Sequence, residues 1–91
     1  MDASALRRSL AARTDPPHQE LRVVVRQATD LADSGRYLRD TGSELTVSLV
    51  LEHLGDAPTG PLVGQWNWWI GSLEAAYGGY DVHAIVRYDI G

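Results

Sequence analysis

The apolar positions between residues 61 and 77 recur at the spacing of an α-helix and include all three tryptophans of the chain. Six of them fall within about 100° of arc on a helical wheel: Leu62, Trp66, Trp69, Ile70, Leu73 and Tyr77. The pattern predicts a helix over residues 61–77 that ends at Gly78 and Gly79. Because large aromatic side chains dominate the energetics of a small core, we expect the rest of the chain to pack around this helix.

A short first helix is predicted over residues 1–14. Asp2 or Ser4 can cap its N-terminus, because a side-chain oxygen there accepts a hydrogen bond from an otherwise unpaired backbone amide. Leu6 and Leu10 share one face of this helix, and the arginines between and after them face outward.

A second helix is predicted over residues 16–34, where one stripe is apolar: Leu21, Val24, Val25, Ala28, Leu31 and Ala32. Asp15 followed by two prolines is typical of a helix start, since proline lacks only an N–H that the first turn leaves unpaired. Residues 36–43 are predicted to be a connector in which Tyr37 and Leu38 turn inward.

Residues 46–54 fit two patterns. The apolar residues from position 45 to position 51 alternate as in a strand, whereas Thr46 as a cap and Gly55 as a stop signal favour a helix. We prefer the helix and keep the strand as the alternative.

The apolar period changes to two at the C-terminus, which predicts a half-buried strand over residues 80–90. If residues 46–54 are helical, this strand has no partner within the chain, and a second subunit would have to pair its backbone. If they form a strand, the two can pair internally. The predicted fold class is mainly α with a small β element (α+β): three to four helices and a C-terminal strand in one small domain over residues 1–91.

Trp68 is the one aromatic residue of the 61–77 helix that misses its apolar stripe, because it lies about 160° from Trp66. Its neighbours on that side are small: Gly64, Gly71 and Ala75. Small residues around one large ring suit the close approach of another helix, which could belong to the same chain or to a partner. The predicted strand adds three residues to this candidate partner interface: His83, Ile85 and Arg87.

These features predict a small, non-enzymatic protein–protein interaction module that forms a homodimer or binds another protein. The chain has 91 residues, no cysteine and a net charge of −4, so disulfides, thiolate catalysis and Cys-based metal sites are excluded. No apolar run approaches the roughly 20 residues that cross a bilayer, and no signal peptide is evident. We therefore expect a cytoplasmic protein that does not contact a membrane.

Candidate chemistry is sparse. The three histidines are far apart in sequence, and neither a nucleophile elbow nor a phosphate-binding loop occurs. A general base or one edge of a metal site could in principle lie on the polar face of the predicted strand, which carries Asp81, His83, Arg87 and Asp89. A solvated strand face explains the same alternation more simply. We predict no catalytic residue, no metal and no cofactor.

An alternative function follows from the order of elements. The predicted helix at 46–54, the turn after it, the 61–77 helix and the final strand resemble a winged helix-turn-helix, which implies a nucleic-acid-binding transcriptional regulator. Residues 40–86 contain six acidic residues and no Lys or Arg, so the second helix would be repelled by phosphates. Nucleic-acid binding would then depend on the N-terminal arginines: Arg7, Arg8, Arg22, Arg26, Arg36 and Arg39.

Overall fold

The computed structural model describes residues 1–86, which form five α-helices and a short 3-10 turn. In chain order the elements are α1 (Ala3–Thr14), α2 (His18–Ser34), α3 (Arg36–Thr41), α4 (Val47–Gly55), α5 (Leu62–Tyr77) and the 3-10 turn Asp81–His83. Because these residues contain no β-strand, the predicted α+β class is wrong, and so is the winged-helix-like arrangement, which requires a strand as its wing.

The predicted strand over 80–90 is replaced by a turn. Gly78 and Gly79 adopt positive φ angles of 77° and 82°, which reverse the chain at the end of α5. The segment that follows turns Tyr80, His83 and Ile85 inward. This spacing of three and then two is not the spacing of a strand, in which alternate residues share a face. Residues 87–90 of the predicted strand lie outside the described part of the chain.

Helix α1 begins where the sequence predicts it, at a cap in which the Asp2 carboxylate accepts a hydrogen bond from the Ala5 amide over 3.1 Å. Asp15 does not start the second helix. It adopts a left-handed conformation with φ of 45° and ends α1, and α2 starts at His18. The physical reason is that a residue directly before a proline is disfavoured in the right-handed helical region.

The segment over 36–43, predicted as a connector, contains helix α3. Gly35, with a φ of 73°, ends α2 and leads directly into α3. Tyr37 is buried as predicted, whereas Leu38 is half exposed. A helix of only six residues is too short to show an apolar period, so the sequence pattern missed it.

Residues 47–55 are helical rather than extended. Thr46 accepts a hydrogen bond from the Leu49 amide over 3.2 Å, and this cap explains why the helix prevails over the strand-like alternation. Gly55, predicted to follow the helix, is its last residue.

Helix α5 lies against α2, α4 and the 3-10 turn, while α1 packs on α2 and α4. Its buried residues are Leu62, Trp66, Trp69, Ile70 and Leu73, which are five of the six positions in the predicted stripe. The sixth, Tyr77, is half exposed because it is the last residue before the reversal at Gly78. None of the helices within residues 1–86 is both long enough and apolar enough to span a membrane.

Candidate interaction surface

Trp66 is the most deeply buried member of the tryptophan-rich segment. Its side chain has no solvent exposure, and its ring packs edge to face on Trp69 at a centroid distance of 5.4 Å. The indole N–H donates a hydrogen bond of 2.8 Å to the backbone carbonyl of His83. A buried indole needs such an acceptor, and this one connects the middle of α5 to the C-terminal segment.

Asn67 holds the same segment by pairing with both backbone groups of Ile85. Its side-chain nitrogen donates to the Ile85 carbonyl over 2.8 Å, and its side-chain oxygen accepts from the Ile85 amide over 2.7 Å. The amide side chain therefore takes the place of a neighbouring strand. The backbone of Ile85 therefore needs no strand from a second subunit, contrary to the expectation for residues 80–90.

Trp69 joins three helices. Its ring stacks on His53 of α4 at 4.9 Å with an interplanar angle of 10°, and it meets Tyr37 of α3 edge to face at 6.1 Å. The Tyr37 hydroxyl and His53 Nε2 are 3.3 Å apart, which closes the triangle with a hydrogen bond. Trp69 is therefore a core residue, and burial raises the pKa of Tyr37 beside it.

Glu74 is the single charged residue of α5, and its carboxylate binds backbone amides of the segment that follows the helix. It accepts hydrogen bonds from Gly79, Tyr80 and Asp81 at 3.2, 2.7 and 2.9 Å. These bonds lower the pKa of the carboxyl group. They also stabilise the reversal after α5, where the amides would otherwise lack partners.

Tyr80 is buried against α3, and its hydroxyl donates to the Asp40 carboxylate over 2.8 Å. Burial, together with that carboxylate, raises the pKa of Tyr80 to about 12. The Arg36 guanidinium lies 5.7 Å from the centre of the Tyr80 ring, and Arg39 forms an ion pair with Asp40 at 3.0 Å. Two of the six arginines proposed to contact nucleic acid are thus engaged in the fold.

Trp68 is the one residue of the segment 66–69 whose side chain faces away from the core formed by residues 1–86. It is 42% exposed, and its indole forms no hydrogen bond or ring contact with another residue among positions 1–86. The residues around it on α5 are exposed, small and uncharged: Gly64, Gly71, Ser72, Ala75 and Ala76. We call Trp68 and these five residues the outer face of α5.

The remaining residues of the predicted interface do not join this face. His83 and Ile85 are buried within the chain, and Arg87 lies outside the described residues. Asp81 is exposed while His83 is buried, so the two do not share the polar face on which a base or metal site was considered. Among the described residues no group of three potential ligands lies close enough to hold a metal ion.

Four arginines of the N-terminal half are exposed and form no ion pair with another residue in 1–86: Arg7, Arg8, Arg22 and Arg26. Arg26 also lines, with Asp30, an open groove of about 480 Å³ between α2 and residues 84–86. The groove therefore carries both signs of charge at its rim.

Comparison with known proteins identifies the family of the chain. A family model described as the WNWW domain matches residues 1–74, which include α1 to α4 and most of α5. The chain carries the sequence Trp-Asn-Trp-Trp at positions 66–69, inside the matched region. No curated protein and no solved structure matches the chain.

The Asn67→Ala substitution tests how the C-terminal segment is held. It removes both partners of the Ile85 backbone, so we expect the free energy of unfolding to fall by about 1–3 kcal/mol. We also expect faster hydrogen exchange at the Ile85 amide, measured by NMR. Gln65→Ala is the control, because Gln65 also lies on α5 but its side-chain nitrogen donates to the Gly60 carbonyl over 3.3 Å and does not hold Ile85. Equal exchange at Ile85 in the two variants would contradict the assigned role.

The burial of His83 predicts that the fold weakens in mild acid. Desolvation, with a smaller contribution from Arg36, lowers the pKa of His83 below 6.5, while Asp30 acts in the opposite direction. The unfolded chain then binds a proton more readily than the folded chain, so stability is lost as the pH falls below about 6.5. The pKa values of Glu74 and Asp40 are also lowered, so protonation of these carboxylates reduces the stability further at still lower pH.

Urea unfolding at about pH 7.5 and about pH 5.5 measures this effect. The wild type should be less stable at the lower pH, and His83→Gln should show a smaller difference. The same pH dependence in both proteins would show that another group is responsible.

Proposed function

We propose, starting from the finding that this chain belongs to the WNWW domain family, that it acts as a small protein–protein interaction module. The surface that binds the partner is the outer face of α5, and the partner is a second copy of the chain or another protein. In this function the protein acts in the cytoplasm, as expected from the sequence, and it uses neither a catalytic residue nor a cofactor.

The single observation that supports this function most is the exposure of Trp68. At 42% exposure it leaves on the order of 60–100 Å² of indole in water. Covering that area would contribute roughly 2 kcal/mol at about 25 cal/mol per Å². Tryptophan is enriched among the residues that dominate the energetics of protein interfaces.

Gly71 gives independent support for the outer face of α5 as the interaction surface. Glycine inside a helix is about 1 kcal/mol less favourable than alanine, and a Cβ added at Gly71 would meet nothing within 4 Å. The packing of residues 1–86 therefore gives no steric reason for glycine at this position. The close approach of a second backbone would supply one.

The titratable groups near α5 support a non-enzymatic role. The carboxylate of Glu74 binds three backbone amides, and Asp40 binds Tyr80 and Arg39. These groups have structural partners and do not converge on one cavity with a nucleophile and a base, which is the arrangement that catalysis requires.

Nucleic-acid binding is the second candidate, and one observation favours it. Arg7, Arg8, Arg22 and Arg26 are exposed and have no acidic partner among residues 1–86. The outer face of α5 carries no basic residue, however, so it cannot act as a recognition helix of the usual kind. Binding to duplex DNA that weakens steeply with salt and is lost on replacing these four arginines would favour this candidate over the first.

Replacement of Trp68 tests the proposed function. Tagged wild type, Trp68→Ala and Leu38→Ala are each expressed in the source cells together with an untagged copy, and captured proteins are quantified by mass spectrometry. Leu38 is the matched control because it is a large apolar residue that is 50% exposed and lies on α3, outside the outer face of α5. We expect at least one captured protein, the untagged copy or another, to fall about tenfold with Trp68→Ala alone, which corresponds to about 1.4 kcal/mol.

Circular dichroism must show that the three proteins have the same helix content. If they do, and no captured protein depends on Trp68, the outer face of α5 is not an interaction surface and the proposed function is wrong.

A further inference from the structure

Building on the proposed function, we propose that the partner that covers the outer face of α5 is a second copy of this chain, with the two α5 helices packed antiparallel and crossing at Gly71. Trp68 of each copy then enters the small-residue hollow of the other copy. The inference rests on three features of this face: its shape, its charge and its area.

The shape is self-complementary. Small residues on a helix surface leave a hollow that can receive a large side chain from a facing helix. On the outer face Gly71, Ser72, Ala75 and Ala76 are small and leave such a hollow on the C-terminal side of Trp68. The same surface therefore carries one large projection and one hollow, which is what a symmetric interface between identical subunits needs.

The relative position of the two features sets the geometry. In an antiparallel pair related by a two-fold axis beside Gly71, Trp68 of one helix lies level with residues 72–75 of the other. The closest backbone approach falls at Gly71, where the side chain is a hydrogen atom. A Cβ at Gly71 meets nothing within 4 Å among residues 1–86, so we assign any steric cost of adding one there to the partner.

The charge of the face permits two copies to meet although each chain has a net charge of −4. The outer face contains no charged residue, and Glu74, the one charge on α5, is held by the amides of residues 79–81. Exposed residues 58–61, directly before α5, are also uncharged. The face itself therefore brings no like charges together, and the charges elsewhere are screened over about 8 Å at physiological salt.

The area predicts a weak dimer. Helix α5 has 16 residues and is thus about 24 Å long. A strip of that length and about 10 Å in width is smaller than the roughly 800 Å² per partner of a standard stable interface. We therefore expect a dissociation constant in the micromolar range, with association that depends little on salt because the face is uncharged.

Cysteine cross-linking tests the geometry, because the chain has no cysteine of its own. In the proposed dimer the two residues at position 71 face each other, so Gly71→Cys should form a disulfide-linked dimer on mild oxidation. The space around Gly71 lets this variant fold. Ser48→Cys, at an exposed position on α4, is the control and should remain monomeric. Equal cross-linking of the two variants, or none in Gly71→Cys, would overturn the crossing.

Sedimentation equilibrium at protein concentrations from about 1 to about 500 µM tests whether the partner is a second copy of the chain. We expect the wild type to dimerise reversibly and Trp68→Ala to weaken the dimer at least about tenfold. Gly71→Ala should raise the melting temperature of the chain, because it favours the helix, while weakening dimerisation.

Two outcomes separate this inference from the proposed function. If the wild type stays monomeric up to about 500 µM but still captures another protein through Trp68, the proposed dimer is wrong and the proposed interaction function stands. A monomeric wild type with no Trp68-dependent capture contradicts both.

Discussion

The indole N–H of Trp66 donates a hydrogen bond to the His83 carbonyl over 2.8 Å, and this bond ties the central helix to the segment that closes the fold. A 91-residue chain without cysteine has no disulfide to hold that segment, and a chain of this size buries only roughly 60–65% of its unfolded surface. The attachment of residues 79–85 to the helical core therefore depends on a few polar groups of α5 side chains. Trp66, Asn67 and Glu74 satisfy backbone groups between residues 79 and 85 that the turn would otherwise leave unpaired.

The four residues 66–69 have different roles because each step along a helix turns the side chain by about 100°. Trp66 and Trp69, three residues apart, share the buried side, and Asn67 lies at its edge against Ile85. Trp68 is left on the opposite side, 42% exposed. The fold of the single chain explains the first three residues. The contacts among residues 1–86 give the Trp68 side chain no comparable role, and the proposed partner accounts for that difference.

The sequence predicted the structure correctly where helical spacing and hydrogen bonds between near neighbours determine it. The stripe of α2, the Thr46 cap and the outward position of Trp68 follow from helical spacing and local hydrogen bonding. The C-terminal segment could not be predicted in this way, because distant polar groups determine it. The Glu74 carboxylate and the Asn67 amide hold a turn whose apolar residues merely alternate like those of a strand. The burial of His83 and Ile85, which removed them from the predicted interface, depends on the same contacts.

Helix α5 has one side that supports the fold and one side that does not. Urea unfolding of Trp66→Ala and Trp68→Ala compares the two sides directly when each protein is at about 0.1 µM, below the micromolar dissociation constant expected for the dimer. For Trp66→Ala we expect a loss of about 3–5 kcal/mol in the free energy of unfolding, as for other large buried aromatic residues. For Trp68→Ala we expect a loss of no more than about 1–2 kcal/mol. Equal losses would show that Trp68 belongs to the core of the single chain and would contradict this division of α5 into two sides.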